Sequence, residues 1–301
     1  TRSGTPSTAR RAIRYRDRDF AAERDAFRRE SGRIGMHIFG AVIGDIVGSR
    51  YEFANHRSKD FPLFGDDCRF TDDSLMTIAV AAALTDCGDK SDKELADSAI
   101  SHMCGIAALY PHAGYGASFL GWLFSDGERR PYNSLGNGAA MRVSPVGYYA
   151  RTERDVKRLS GIVTGITHNH PEGLKGAEST AMAVFYALNG KSKADIVKLA
   201  SSYYPTIPEL SCDELRKTYS FDVTCGGTVP QAMACFSEST GFEDTLRIAV
   251  SIGGDTDTLC AIAGAVAGAY YGIPPHIVRE AARFLPPSLI KVIGDFFSRI
   301  G

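Results

Sequence analysis

The 301-residue chain is short of several things, and each shortage narrows what it can be. It has no Cys-x-x-Cys pair: seven cysteines, an odd number, stand at 68, 87, 104, 212, 225, 235 and 260. That pattern disfavours a zinc or disulfide framework and points to free thiols in a reducing compartment, so a cytoplasmic protein is expected. It has no signal-peptide pattern, and its longest apolar run, Leu259 to Ile273, is about fifteen residues against the ~20 of a membrane-spanning helix. No membrane partner is expected. Strand-like alternation is nearly absent as well, which removes sheet-based folds.

Charge is scarce in one place and plentiful in another. The net charge is −1, yet residues 1–35 carry ten Arg, no Lys and five acids. The body that follows is therefore mildly acidic, which argues against nucleic acid as the principal partner. Composition changes at Met36, where the apolar pattern begins. Residues 1–35 read as an appended Arg-rich extension or an interaction arm, and 36–301 as one domain expected to act as a monomer.

Helical periodicity fills that domain. Helices are expected over 36–48, 73–85, 92–108, 116–124, 138–150, 153–166, 171–188, 192–203, 228–237, 242–252, 258–271, 275–283 and 287–299, giving a compact all-α fold. Gly40, Gly44 and Gly48 on one helix and Gly264, Gly268 and Gly272 on another recur at four-residue spacing. Each glycine costs a helix about 1 kcal/mol relative to alanine, so such stripes suggest close backbone approach between central helices.

Two acidic knots sit in this apolar setting: "FTDDS", with Thr71, Asp72 and Asp73, and "GGDTDT", with Asp255, Asp257 and Thr258. Each alone is satisfied by helix capping, with Thr71 or Asp72 at one N-cap and Asp257 at the other. Together they are four carboxylates and two hydroxyls at helix mouths, an all-oxygen set suited to hard divalent cations such as Mg²⁺, Mn²⁺ or Ca²⁺. Two such ions would balance four aspartates. Glu52, in the loop after the first glycine-striped helix, could reach the same ions or serve as an ordinary loop acid. "SLGNGAAMR" is a glycine-rich turn before a helix, able to offer backbone N–H groups to a diphosphate, and "GYGAS", from Gly114, is a second turn of this kind. "THNHPEG" contains His168 and His170, but Pro171 fits a first helical turn, so capping is the better reading than a zinc site. Trp122, Tyr148 and Tyr149 are read as core.

The ordered set "GAVIGDIVGSRYE", "FTDDS", "GNGAAMR", "THNHPEGLKGAESTAMAV" and "SIGGDTDTLCAIAGAVAGAYYG" resembles the ADP-ribosylglycohydrolase family over essentially 36–300. The resemblance implies an orthogonal multi-helix bundle with two Mg²⁺ or Mn²⁺ ions at the base of an ADP-ribose cleft. Carried onto this chain, it implies Thr71, Asp72, Asp73, Asp255, Asp257 and Thr258 as metal ligands, with Asp45 behind them rather than a ligand. It implies Ser134, Gly136, Asn137, Gly138, Gly114 and His168 as substrate contacts, and Glu52 or Asp73 as the group that moves a proton. The implied activity is hydrolysis of ADP-ribose from a modified protein, arginine-linked in preference to serine- or acetyl-linked. The rival readings are a non-catalytic, immunity-type binding protein that neutralises an ADP-ribosylating toxin, and a zinc hydrolase using His168 and His170. The intact ligand set speaks against the first.

Overall fold

The computed structural model describes residues 39–301. The Arg-rich extension, and the start of the helix expected over 36–48, lie outside the described residues. The helices are α1 (Gly40–Gly48), α2 (Asp72–Cys87), α3 (Asp92–Leu109), α4 (Ala117–Leu123), α5 (Gly138–Met141), α6 (Ser144–Tyr149), α7 (Glu153–Gly165), α8 (Pro171–Leu188), α9 (Lys193–Tyr203), α10 (Cys212–Thr218), α11 (Cys225–Glu238), α12 (Phe242–Ile252), α13 (Thr256–Tyr271), α14 (Pro275–Ala282) and α15 (Pro287–Ile300). Among the described residues no strand forms, only an isolated bridge between Gly136 and Thr224.

The centre is a pair of helices that are apolar all round, and such helices must be enclosed by others. Every residue of α1 is buried, as are the residues of α13 from Thr256 to Ala269. The two cross with their backbones touching. A Cβ on Gly40, Gly44 or Gly48 would fall well under 3 Å from the carbonyls of Gly264, Cys260 or Thr256. Helices α8, α11 and α12 pack around α13, and α2 lies against α1. The glycine stripes thus meet where expected, except that Gly272 ends its helix as a left-handed C-cap, φ 77°.

Local chemistry explains most boundaries. Helix α8 runs over the expected 171–188 because Pro171 suits the first turn and the His170 ring accepts from the Glu172 N–H at 3.1 Å. Helices α3 and α7 each begin with a reciprocal capping box, Ser91 with Glu94 and Thr152 with Asp155. The expected single helix over 138–150 is instead two, α5 and α6, because Pro145 cannot continue a ladder and opens the second helix. Helix α13 starts at Thr256 rather than Thr258, with Asp255, not Asp257, at its N-cap. Helix α11 starts at Cys225, its mouth closed by the Thr224 hydroxyl accepting from Gly227. The seven-residue α10 was not expected, being too short and polar to show a period. All seven cysteines are free thiols, with Cys87 and Cys104 only part-buried.

The crossing makes a sharp contrast between two glycines. Gly44→Ala should destabilise the protein by about 3 kcal/mol, since neither backbone can yield without moving a central helix. Gly105→Ala on exposed α3, where a Cβ would meet nothing within 4 Å, should raise stability by about 0.5–1 kcal/mol. Urea unfolding of both variants measures the difference.

Candidate metal centre and cleft

Helix α1 brings the two acidic knots together. Near its end, buried Asp45 accepts from the Thr71 N–H at 2.8 Å, the Thr71 hydroxyl at 2.7 Å, the Ser74 N–H at 3.1 Å and the Ser74 hydroxyl. Three of these donors fall on Oδ2 and one on Oδ1, so the Asp45 carboxylate is committed chiefly to fixing the mouth of α2. At the end of α1, the Gly48 carbonyl accepts from the Thr256 hydroxyl at 2.9 Å and holds the mouth of α13. The N-terminal dipoles of α2 and α13 consequently face one acidic space, where each favours negative charge.

The aspartates fill that space. Asp73 Oδ2 accepts from the Thr258 hydroxyl at 3.3 Å, joining the two knots across 185 residues of sequence. Carboxylate oxygens of Glu52, Asp255 and Asp257 lie within 4.8 Å of one another. Burial raises the pKa of Asp72 and of Asp73 well above the ordinary carboxylate value, and the Asp257 charge adds to both. Burial and the neighbouring Asp255 do the same to Asp257. Asp255 is raised by burial against hydrogen bonds from Asp257 and Asn137. Glu52 is pushed up to about 7 by burial and by Asp257, with Arg69 opposing.

Such a cluster is costly unless a cation compensates it. Asp73 Oδ1 supports that reading directly, being a buried carboxylate oxygen without a hydrogen-bond donor. Buried polar atoms of this kind are almost always satisfied. The donor set is entirely oxygen, as hard divalent ions require. By contrast, His168 Nδ1 is paired with the Thr167 hydroxyl at 2.7 Å and His170 Nδ1 caps α8. Among the described residues neither imidazole belongs to a metal-holding group.

The turn carrying Asp255 is bound to the loop carrying Glu52. Gly253 and Gly254 have φ of 70° and 79°, a left-handed pair that only glycine adopts readily. The Gly254 N–H donates to Asn55 Oδ1 at 3.1 Å, and Arg57 reaches the Ile252 carbonyl and, at 2.9 Å, the Tyr219 carbonyl.

Above the acids lies a cleft of about 430 Å³, within the range of small-molecule sites. Its lining includes Glu52, Asp72, Asp73, Asp255, Asp257 and Thr258, and also Gly114, Ser134, Gly136, Asn137, Gly138 and His168. Thr71 lines a smaller adjoining recess that shares Glu52, Asp72, Gly114 and Asp257 with the main cleft. The glycine-rich turn is less open to a diphosphate than its sequence suggests. The Asn137 N–H donates to the Val223 carbonyl at 2.8 Å and the Gly136 N–H to Ser134 Oγ at 3.2 Å. The Asn137 amide donates to Asp255 Oδ2 at 2.6 Å and to the Thr228 hydroxyl at 3.1 Å, making it a brace for the acids. Gly114 lies close against Asp72, whose Oδ1 would be 3.1 Å from an added Cβ. Trp122 is core, as expected, whereas Tyr148 and Tyr149 are part-buried and pack against the edge of the core.

Sequence reasoning missed several lining residues. Arg142 is fully buried under the cleft, its guanidinium donating to the Thr167 hydroxyl at 2.7 Å. The motif "GNGAAMR" contains it, but a lone Arg at the end of a short apolar run reads as an exposed helix end. Phe221 and Val223 line the cleft from a loop without periodicity, and Phe221 stacks on exposed Phe53 at 6.1 Å.

An all-helical bundle with an acidic, oxygen-only cluster under a ligand-sized cleft has the donors to hold hard divalent ions beside a small-molecule ligand. Comparison with known proteins gives the family: the ADP-ribosylglycohydrolase profile matches residues 28–299, and the chain belongs to that family. It is 26% identical over 309 residues to ADP-ribosylhydrolase ARH3 of Xenopus tropicalis, covering 78% of this chain and 86% of that protein. It is 24% identical over 274 residues to ADP-ribosylarginine hydrolase Tri1 of Pseudomonas putida (strain GB-1), covering 81% and 73%. A solved ADP-ribosylglycohydrolase-related protein complex superposes with a TM-score of 0.60 at 23% identity, over 87% of this chain and 95% of that one, and shares the fold. Membership supports hydrolysis of ADP-ribosylated substrates in a family that is generally metal-dependent, and Glu52, Asp255 and Asp257 form a group that could hold a metal ion. No helix among the described residues is long and apolar enough to cross a membrane.

The crowded acids make stability depend on pH in a defined direction. Glu52 rises from 4.5 to about 7 on folding, so its favourable contribution without metal is full below 4.5 and is lost as pH rises through 7. Asp72, Asp73, Asp255 and Asp257 shift the same way. The gain in Tm on replacing EDTA by Mg²⁺ should therefore be larger at about pH 8 than at about pH 5. Scanning calorimetry at both pH values checks this, and an equal gain would contradict it.

Proposed function

We propose that this protein is a metal-dependent hydrolase that releases ADP-ribose from a modified acceptor, with arginine-linked ADP-ribose its preferred substrate. The observation that carries the reading is the buried carboxylate cluster, with Asp73 Oδ1 unsatisfied, at the floor of a cleft sized for a nucleotide. Asp72, Asp73, Asp255, Asp257, Thr71 and Thr258 would hold two Mg²⁺ or Mn²⁺ ions. Bound there, the ions would supply a Lewis acid for the ribose hydroxyls and for a water molecule.

The chain's own residues divide the remaining work. Asp45 keeps Thr71 in place by accepting its hydroxyl hydrogen bond, which leaves an oxygen lone pair of Thr71 as what it can offer an ion. Asn137 braces Asp255. Glycosidic cleavage passes through an oxocarbenium-like state and needs a group to move a proton to or from water or leaving atom. Of the two candidates, Glu52 suits this role better than Asp73. Asp73 is buried and tied to Thr258, while Glu52 is part-buried on a loop that both faces the cleft and touches the acids. The preference for arginine-linked substrate draws on the "GNGAAMRVSPV" segment and on likeness to the ADP-ribosylarginine hydrolase.

The test measures free ADP-ribose released from arginine-linked, serine-linked and acetyl-linked substrates with Mg²⁺ or EDTA. Mg²⁺-dependent release, fastest from the arginine linkage, is expected; no release from any of the three would refute the reading. Asp255→Asn should lower release by at least about 100-fold without lowering the Tm in EDTA, because it removes a buried charge from the metal-free cluster. Loss of Tm with unchanged release would make Asp255 structural only. Glu52→Gln should retain Mg²⁺ binding by calorimetry while release falls by about 100-fold or more.

A further inference from the structure

His168 lines the cleft with its Nε2 edge beside the glycine-rich turn, where an added Cβ on Gly138 would stand 3.3 Å from Nε2 and one on Gly136 3.6 Å. Its opposite edge, Nδ1, lies 2.7 Å from the Thr167 hydroxyl. A neutral imidazole has one N–H, and which edge carries it decides whether the cleft sees a donor or an acceptor. The answer follows from counting lone pairs around Thr167.

The Thr167 oxygen already accepts from the Arg142 guanidinium at 2.7 Å. Its own hydrogen has two possible destinations, His168 Nδ1 at 2.7 Å and the Thr164 carbonyl at 3.4 Å. The Thr164 carbonyl is occupied, accepting the Thr167 N–H at 3.1 Å and the His168 N–H at 2.9 Å. A carbonyl oxygen has two lone pairs, and 3.4 Å is long for O–H···O. The Thr167 hydrogen therefore goes to Nδ1, which leaves the imidazole hydrogen on Nε2, facing the cleft.

We infer that Arg142 and Thr167 are positioning residues that hold His168 as a neutral Nε2–H donor toward a substrate oxygen. Arg142 acts in two ways. Its donated hydrogen bond polarises the Thr167 hydroxyl, making it a better donor to Nδ1. Its charge, buried beside the ring, opposes a second proton, and burial and Arg142 together hold His168 far below the ordinary histidine range, down to about 2. Arg142 edges the cleft but is only 1% exposed, with its Nε buried and its Nη2 given to Thr167, so little of the guanidinium is left to bind substrate. A buried arginine under a ligand cleft thus serves the ligand through two intermediaries.

The inference rests on the cleft being an ADP-ribose site, and the test separates the two. In ligand-free protein carrying ¹⁵N-labelled histidine, long-range ¹H–¹⁵N spectra report which ring nitrogen of His168 is protonated, with assignment by loss of the signal in His168→Gln. Protonated Nε2 is expected in the native protein, and a shift toward protonated Nδ1 or a mixture in Thr167→Val. Thr167→Ser should restore the native pattern. Affinity for free ADP-ribose by calorimetry should fall about tenfold in Thr167→Val and recover in Thr167→Ser. Arg142→Met should change the spectrum in the same direction as Thr167→Val; should it fail to fold, the threonine pair decides alone. Protonated Nδ1 in the native protein, or a Thr167→Val spectrum and affinity equal to native, overturns the inference. Absence of ADP-ribose binding by the native protein overturns the reading of the cleft instead, and the ligand-free spectra still judge the relay.

Discussion

The direct backbone contact between α1 and α13 is the constraint on which everything else depends. Glycine at Gly40, Gly44 and Gly48 lets the two helices cross with carbonyls where side chains would otherwise stand. Helix α1 then serves as a common mount. Asp45 fixes the mouth of α2 through Thr71 and Ser74, and the Gly48 carbonyl fixes the mouth of α13 through Thr256. The acids at those mouths are far apart in sequence, yet their separation in space is set by a single helix packed without slack. Widening the crossing by a methyl group would move one mouth relative to the other, and coordination by divalent ions tolerates little of that.

Placing the acids so firmly has an energetic side. Mutual repulsion and burial disfavour the cluster while it is fully ionised, and neither the α2 and α13 dipoles nor the Asn137 amide can offset that. The surrounding core makes up the difference. Residues such as Leu75, Met76, Ile78, Leu259 and Ile262 are completely buried along the two helices that carry the acids. Rigid apolar helices therefore do for the site what a flexible loop could not: they keep like charges together in readiness for an ion.

Much of this was legible in the sequence because its cause is local. The 3.6-residue period, Pro171 and the capping residues fixed most helices to within a few residues, and acids placed against apolar runs marked the carboxylate cluster that the fold brings together. The break at Pro145 was legible too, but the continuous apolar pattern on either side masked it. What could not be read depends on partners distant in the chain. Nothing near Asn137 indicates that its amide braces Asp255, 118 residues away. Nothing near Arg142 indicates that its charge is buried against Thr167. Phe221 and Val223 lie in an aperiodic loop, and only the fold brings them to the cleft.

Phe53 and Phe221 stack at the rim from two loops and remain largely exposed. Neither holds an acid in place, and neither packs in the α1–α13 crossing. Exposed positions of this kind can change residue type with stability effects usually within about 0.5 kcal/mol. The floor and the rim are thus under different physical constraints. The floor has little room for replacement without disturbing the carboxylate cluster, while the rim can change side chains at little cost in stability. One bundle can therefore present different rims to whatever enters the cleft while keeping the same acidic floor.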